Sequence, residues 1–314
     1  MSNLTNSPFA ELYASKLQDK MDESMAFASL WDNVSSWASN RFVNIPQYTA
    51  SASIMQDYVE VGGANYSFGD SGDNRVAEGN LRFELISHQT KPITVTSLED
   101  SITNYDKHGG TIRNTISGLV EFKGKSLLFQ AGKDVAAAKT ILTSGGLTSA
   151  GPDGTPRSAM TFNDFVSLGL AFDEDNVSED GRFIVLPARM YADLISDPQI
   201  QKADELGTGE APIATGVVMK INGINIMKKN TVLQLSGNTD GGDAVDPFTD
   251  LSAQGYHGAI AFVRDAVAYA TTPVEVFENT GDAKKYGDEF SSQIFGSANA
   301  ARTDGKGIYI VAQG

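Results

Sequence analysis

A hairpin that cannot be buried is the strongest constraint this sequence sets on its own fold. Two strand-like runs, Ile54 to Val61 and Leu81 to Val95, flank the stretch from Gly62 to Asn74, which contains Gly69-Asp70-Ser71-Gly72-Asp73. In the second run Leu81, Phe83 and Leu85 alternate with Arg82 and Glu84, the period of a strand with one face inward. Glycine, serine, aspartate and asparagine favour turns and offer little apolar surface to bury. The joined unit therefore reads as a long hairpin whose tip projects from the body, with Pro92 at an edge or a strand break.

The same tip imitates the nucleophile segment of a trypsin-like protease. A serine hydroxyl becomes a nucleophile only when a histidine within hydrogen-bond reach takes its proton. The three histidines, His88, His108 and His257, all follow Ser71, whereas in that protease family the histidine comes first. Asp73 also stands where the family carries glycine. The tip is a turn.

Other chemistry is equally sparse. With no cysteine, disulfides, thiolate metal sites and cysteine nucleophiles are excluded, so packing or neighbouring chains must hold the fold. There is no HExxH, no P-loop and no dinucleotide fingerprint. Asp173-Glu174-Asp175 and the trio Asp240, Asp243 and Asp246 could offer oxygens to calcium, but neither follows the EF-hand order. No catalytic residue, cofactor or metal is expected. No apolar run approaches a bilayer span, and the first thirty residues lack a basic start followed by an apolar block, so neither secretion nor membrane insertion is expected. The net charge of -15 repels phosphate backbones, and basic clusters are short, as at Lys228-Lys229 and Lys284-Lys285. Sequence-specific nucleic-acid binding is therefore not expected. An acidic surface serves solubility, or suits a protein that surrounds a polyanion without adhering to it.

Apolar residues from Phe9 through Leu12, Leu17, Met21, Met25, Leu30 and Val34 to Trp37 predict an amphipathic helix from Pro8 to about Trp37. Ser97 to Lys107 predicts a short helix stopped by Gly109-Gly110, and Thr111 to Leu128 a long one, in which Gly118 and Gly124 call for close packing against another backbone. Alanine-rich Lys133 to Thr143 predicts another helix and 144–158 a loop. Thr161 caps Phe162 to Ala171, with Asp164 in the first turn. Arg182 to Leu186 reads as a strand entering a helix at Pro187, and Asn222-Gly223 as the turn of a tight hairpin, followed by a loop at 236–246. Ala259 to Val263, Ala266 to Ala270 and Val274 to Phe277 are strands. Glu289 to Ala298 and Gly307 to Val311 predict a long terminal hairpin turning near Asp304-Gly305.

This order resembles the major capsid proteins of tailed bacteriophages with the HK97 fold. Lys91-Pro92-Ile93-Thr94-Val95 and Tyr105-Asp106 are similar to the family's return from its extended loop into the spine helix. Gly181-Arg182-Phe183-Ile184-Val185-Leu186-Pro187-Ala188-Arg189-Met190-Tyr191, with Leu194 and Asp197, is similar to the start of its axial domain. Gly258-Ala259-Ile260-Ala261-Phe262 and Arg302-Thr303-Asp304-Gly305-Lys306-Gly307-Ile308 complete the pattern.

The resemblance implies an α+β fold with an N-terminal arm (1–50), an extended loop (51–96), a peripheral domain with a long spine helix (97–181 and 278–314) and an axial domain (182–277). It implies an icosahedral shell subunit, found in the virion and assembled in the host bacterial cytoplasm. The subunit would form pentamers and hexamers, work with portal and scaffolding proteins and enclose double-stranded DNA, without a membrane. Contacts between subunits are expected from Phe9, Leu12 and Leu17 of the arm, from Phe68, Asp70, Asp73, Arg75 and Arg82 of the loop, and from Arg302. Some family members weld the loop to a neighbour through a lysine, but 62–90 holds only Arg75 and Arg82 as basic side chains besides His88, so assembly is expected to be non-covalent. The alternatives are a soluble hydrolase using scattered carboxylates, or another virion component such as a tail-tube or decoration protein.

Overall fold

The computed structural model describes residues 25–39, 41–49, 77–96, 107–200, 217–237, 244–248, 255–282, 286–302 and 304–314. The strand expected over Ile54 to Val61, the tip with Ser71, the helix before Met25 and most of the helix at Ser97 to Lys107 lie outside them.

Strands β1 (Phe42–Thr49) and β2 (Ala77–Glu84) open the fold, followed by β3 (Ile86–Gln89) and β4 (Ile93–Thr96). Helix α1 (Lys107–Gly132) leads to β5 (Thr140–Leu142), α2 (Phe162–Glu174), β6 (Arg182–Pro187) and α3 (Ala188–Ile195). Strands β7 (Val217–Ile221), β8 (Ile224–Lys229), β9 (Leu233–Leu235), β10 (Tyr256–Val263), β11 (Val267–Thr271), β12 (Glu275–Asp282), β13 (Gly287–Ala300) and β14 (Ile308–Ala312) complete it.

A seven-stranded sheet runs in the order β7-β8-β6-β10-β14-β5, with β9 pairing β10. Its strands alternate between two cores. Phe183, Val185, Ile260, Phe262, Ile308 and Ile310 face α1, while Ile184, Leu186, Ala259, Ala261, Tyr309 and Val311 face α2 and α3. Because both faces are covered, all six residues of β6 and all five of β14 are buried, which makes these strands uninterrupted apolar runs. Arg182 is the exception in type. Its guanidinium is buried but donates to the Asp173 carboxylate at 2.6 Å and to the Val177 carbonyl at 2.6 Å.

Local chemistry sets the elements as expected in three places. Asn222 and Gly223, both at positive φ (48° and 78°), turn β7 into β8. Ahead of α2, the Thr161 N–H and hydroxyl donate to Asp164 Oδ2 at 2.8 and 3.1 Å, the reciprocal cap that ends a loop cleanly. β6 passes into α3 at Pro187.

The six-stranded sheet corrects the expected terminal hairpin. β13 does not pair with β14. The continuous run β11–β12 folds back along it, from Val267 opposite Ala300 to Asp282 opposite Gly287, and its other edge takes β3 and β4. The turn at 301–307 instead carries the chain into the seven-stranded sheet, where β14 lies between β10 and β5. A strand buried on every residue needs that central place. Pairing therefore crosses the expected boundary at 277/278, with β11 in the six-stranded sheet and β14 in the seven-stranded one.

Three predicted helices are also corrected. From Met25 to Trp37 the chain forms two 3-10 turns, 26–30 and 35–37, around a two-residue strand, Asp32–Asn33, parallel to β11. Between those turns its backbone bonds the sheet, with the Val34 N–H donating to the Tyr269 carbonyl at 2.9 Å, and Trp31 wedges edge-on against Phe27, Phe262 and Tyr269. Lys133 to Thr143 yields a 3-10 turn at 137–139 and then β5, an edge strand beside β14. Gly109-Gly110 do not stop a helix, since α1 runs through them.

Helix α1 spans the two sheets through side chains seated on glycines. A Cβ on Gly124 would lie 2.8 Å from Lys229 Nζ, and one on Gly132 2.7 Å from Leu233 Cδ1. On the other side Lys123 packs over Gly296 of β13, 3.2 Å from where its Cβ would stand. Gly124 thus makes room for a lysine and not for a backbone, and Gly118 has nothing within 4 Å.

Candidate assembly surfaces

Among the described residues the expected hairpin closes on other partners: 81–84 pairs with β1, while 86–89 and 93–96 pair with β13. β1 and β2 form an eight-pair antiparallel ladder from Phe42–Glu84 to Thr49–Ala77, so residues 50–76 are the segment it encloses. Val43, Ile45, Phe83 and Leu85 turn inward against Ala268 and Ala270 of β11 and anchor the ladder to the body. Its outer side is polar and charged. The Arg82 guanidinium lies 3.8 Å from the centre of the Phe42 ring, and Arg41 approaches Glu84 at 3.3 Å with both side chains more than half exposed. The sequence hid β1, because Pro46 argues against a strand, although Val43 and Ile45 alternate inward with Asn44 and Pro46 outward. Beyond Val43, Ala38–Ser39 no longer pairs with it, and that open edge is where a sheet tolerates proline.

Of the expected contact residues, Phe9, Leu12, Leu17, Phe68, Asp70, Asp73 and Arg75 lie outside the described residues. Arg82 is on the outer face of the hairpin base. Arg302 is engaged within the chain, donating to both oxygens of Asp304 at 3.0 and 2.7 Å in the turn between the two sheets. That pair holds the Asp304 carboxyl down at about 2, with a smaller contribution from the Lys306 N–H.

Sequence reasoning missed several exposed apolar side chains. On α2, Phe165, Leu168 and Phe172 are buried while Val166 and Leu170, one turn apart, face out; Leu170 is 59% exposed. Along the β12–β13 ribbon Phe277 is 50% exposed, and at its far end Tyr286 is 77% exposed and held at φ 51°. Phe122 of α1 stacks on Phe248 at 3.6 Å. Isolated apolar residues on a surface need no explanation, but pairs at helical spacing or at a ribbon tip offer area to a neighbour.

Among the described residues, side chains typical of hydrolysis gather around Ser149, and their hydrogen bonds define what they do. Ser149 Oγ donates to the Asp193 carboxylate and accepts from Gln313 Nε2 at 2.7 Å. His257 lies close by: its backbone N–H donates to Gln313 Oε1 at 3.0 Å, and burial, then Arg189, push its imidazole below the ordinary range. The serine proton is directed at a carboxylate instead of an imidazole, and Ser149 and Gln313 are buried. This is a clamp joining loop 144–158 to α3 and β14, without the geometry of a nucleophile and its base. In the acidic loop, Asp173 is taken by Arg182 and Asp175 by Lys139 at 2.8 Å. Among the described residues no three carboxylates or histidines converge as metal ligands, and no helix is long and apolar enough to cross a membrane.

No protein-family model matches the sequence, and neither does any curated protein. Solved structures do. The capsid of the cyanophage P-SCSP1u superposes with a TM-score of 0.61 at 14% identity, over 91% of this chain and 86% of that one. The capsid of Ralstonia phage GP4 gives 0.60 at 14% identity, over 90% and 87%. A virus-like particle from Pyrococcus furiosus gives 0.54 at 12% identity, over 98% and 99%. On these matches the chain has the fold of phage capsid subunits, the HK97-like α+β fold that its order of elements resembles.

Proposed function

We propose that this protein is the major subunit of an icosahedral phage shell enclosing double-stranded DNA, assembled from pentamers and hexamers of itself. The observation that carries the reading is that nine-tenths of the chain shares one fold with phage capsids. The anchored hairpin and the exposed apolar pairs fit it, since they contribute little to the chain's own core. Its mechanism is packing, not catalysis. The acidic balance keeps the enclosed polyanion from adhering. The arm, extended loop, peripheral and axial domains keep their roles, with β11 reassigned to the peripheral sheet and β14 to the axial one. Portal and scaffolding proteins complete the assembly, which takes place in the host cytoplasm and ends in the virion.

A second reading, a particle that is not a virion, has one observation in its favour: the end-to-end match to the virus-like particle from Pyrococcus furiosus. Negative-stain microscopy and light scattering of the purified chain test the shared part of both readings. Pentamers, hexamers or closed shells are expected, and a chain that stays a small oligomer with and without a scaffolding partner would overturn them. The nucleic-acid content of particles isolated from the natural source separates the two.

A further inference from the structure

The seam between α1 and the six-stranded sheet holds two basic side chains that shell building does not require. His88 of β3 stands opposite Ile294 of β13 and is 2% exposed; Lys123 of α1 is 0% exposed. Neither ring nitrogen of His88 makes a hydrogen bond of good geometry among the described residues, although the Gly296 backbone lies near enough to favour its charged form. The ring packs edge-on against Phe122 of α1 at 5.3 Å, and Phe122 is in turn covered by Phe248. Lys123 Nζ donates to the Thr271 hydroxyl of β11, and its chain runs over Gly296 of β13. The groups around His88 are thus Phe122 and Lys123 from α1, the 294–296 stretch of β13 and, behind Phe122, Phe248. Among the described residues, the charge that acts on His88 is the ammonium of Lys123.

A neutral imidazole can sit in such a dry seam as an apolar ring with weak unmet demands. An imidazolium fits badly, because both nitrogens become donors and only the Gly296 backbone favours the charge, beside a cation already there. We propose that His88 and Lys123 form an acid-operated joint: a proton added to His88 loosens α1 from the six-stranded sheet while the seven-stranded sheet stays folded. Burial first, and Lys123 second, hold the His88 imidazole down at about 4, and the Gly296 backbone offsets this only in part. The sign follows. A base whose folded value lies below its ordinary 6.5 leaves the folded state with fewer protons than the open one, so the contact weakens as pH falls from 6.5 toward 4. The joint belongs to the fold and stands whether or not the chain builds a phage shell.

Hydrogen exchange of the full chain between pH 7 and pH 4, corrected for intrinsic rates, reads it directly. Amides of 117–132 should open about a hundredfold more at pH 4 than at pH 7, the size expected of an imidazole held at about 4 against an ordinary 6.5, while amides of β10 change far less. In His88→Leu most of that rise should vanish. Lys123→Met, which removes the neighbouring cation and keeps the length of the side chain, should shrink it and serves if His88→Leu does not fold. A rise of the same size in the variants, or an equal rise in β10, would overturn the joint.

Discussion

The seven-stranded and six-stranded sheets meet the same helix but are covered differently. Both faces of β6, β10 and β14 lie under other elements, whereas the six-stranded sheet is covered on both faces only near β11 and opens along β12 toward Phe277 and Tyr286. The first sheet stores stability. The second keeps area available, and it also carries the β1–β2 ladder. A shell subunit needs both: a core that survives regrouping, and surfaces that gain only when a neighbour arrives.

The sharpest break of this contrast is a pair of identical truncations. Phe262→Ala empties a fully buried site that Phe183 and Trp31 line and should cost about 3–5 kcal/mol. Phe277→Ala, half exposed on β12, should stay within about 0.5 kcal/mol for the isolated subunit. Urea unfolding of both variants measures the difference, and equal costs would erase the distinction between the sheets.

Next in size comes the cap of α2. The buried Asp164 carboxylate accepts from the N–H and hydroxyl of Thr161 and from the N–H and hydroxyl of Ser144, the latter two at 3.0 and 2.6 Å. Asp164→Ala leaves several of these donors unsatisfied and should cost about 2 kcal/mol, visible as a lower melting temperature. A loss below about 0.5 kcal/mol would mean that water replaces the carboxylate and that the outer layer of the covered sheet is less dry than its burial suggests.

Removing 54–74 tests the other side of the contrast. The ladder from Phe42 to Thr49 stays anchored through Val43, Ile45 and Phe83, so the subunit should lose less than about 1 kcal/mol, since loop length enters stability only weakly. Shell formation should fail. Normal shells from this variant, seen by microscopy, would show that the enclosed segment does not reach a neighbour; an unfolded variant would show that it belongs to its own core.

The contrast also explains what could be read in advance. Strands covered on both faces, such as 182–187 and 258–262, are unbroken apolar runs, and Asn222-Gly223 and Thr161 with Asp164 carry their geometry in their own chemistry. Partner choice was not legible. Alternation along β13 fixes which face is inward but not which strand lies beside it, so the nearby 307–311 looked as good as 267–282. Helical spacing from Met25 to Trp37 lost to tertiary contacts, because Trp31 and the β11 backbone offered more than an isolated turn could. The clamp of Ser149, Asp193 and Gln313 joins residues far apart in sequence and left no local signal. Nor did the seam of His88 and Lys123, which the chain brings together from two elements.

The smallest effect concerns Arg302. Its pair with Asp304 sits in the turn between the two sheets, with the side chains 63% and 50% exposed. The Asp304 carboxyl titrates at about 2 against an ordinary 3.8, because the arginine hydrogen-bonds its charged form. A depressed acid contributes stability above its ordinary value and loses it as pH falls through the folded one, so the window here is pH 3.8 down to 2. Exposure screens the pair, and its contribution should be about 0–1 kcal/mol. Arg302→Ala should therefore barely shift urea unfolding of the subunit at pH 7, and the small shift should shrink as salt rises. The same substitution also tests the expectation that Arg302 bridges subunits. Bidentate engagement with Asp304 leaves the guanidinium little to offer a second carboxylate, so assembly followed by light scattering should tolerate the change nearly as well as folding does. If shells of Arg302→Ala fall apart while its subunit remains as stable as the parent, the arginine exchanges Asp304 for a neighbour on assembly, and the turn between the sheets is itself an interface.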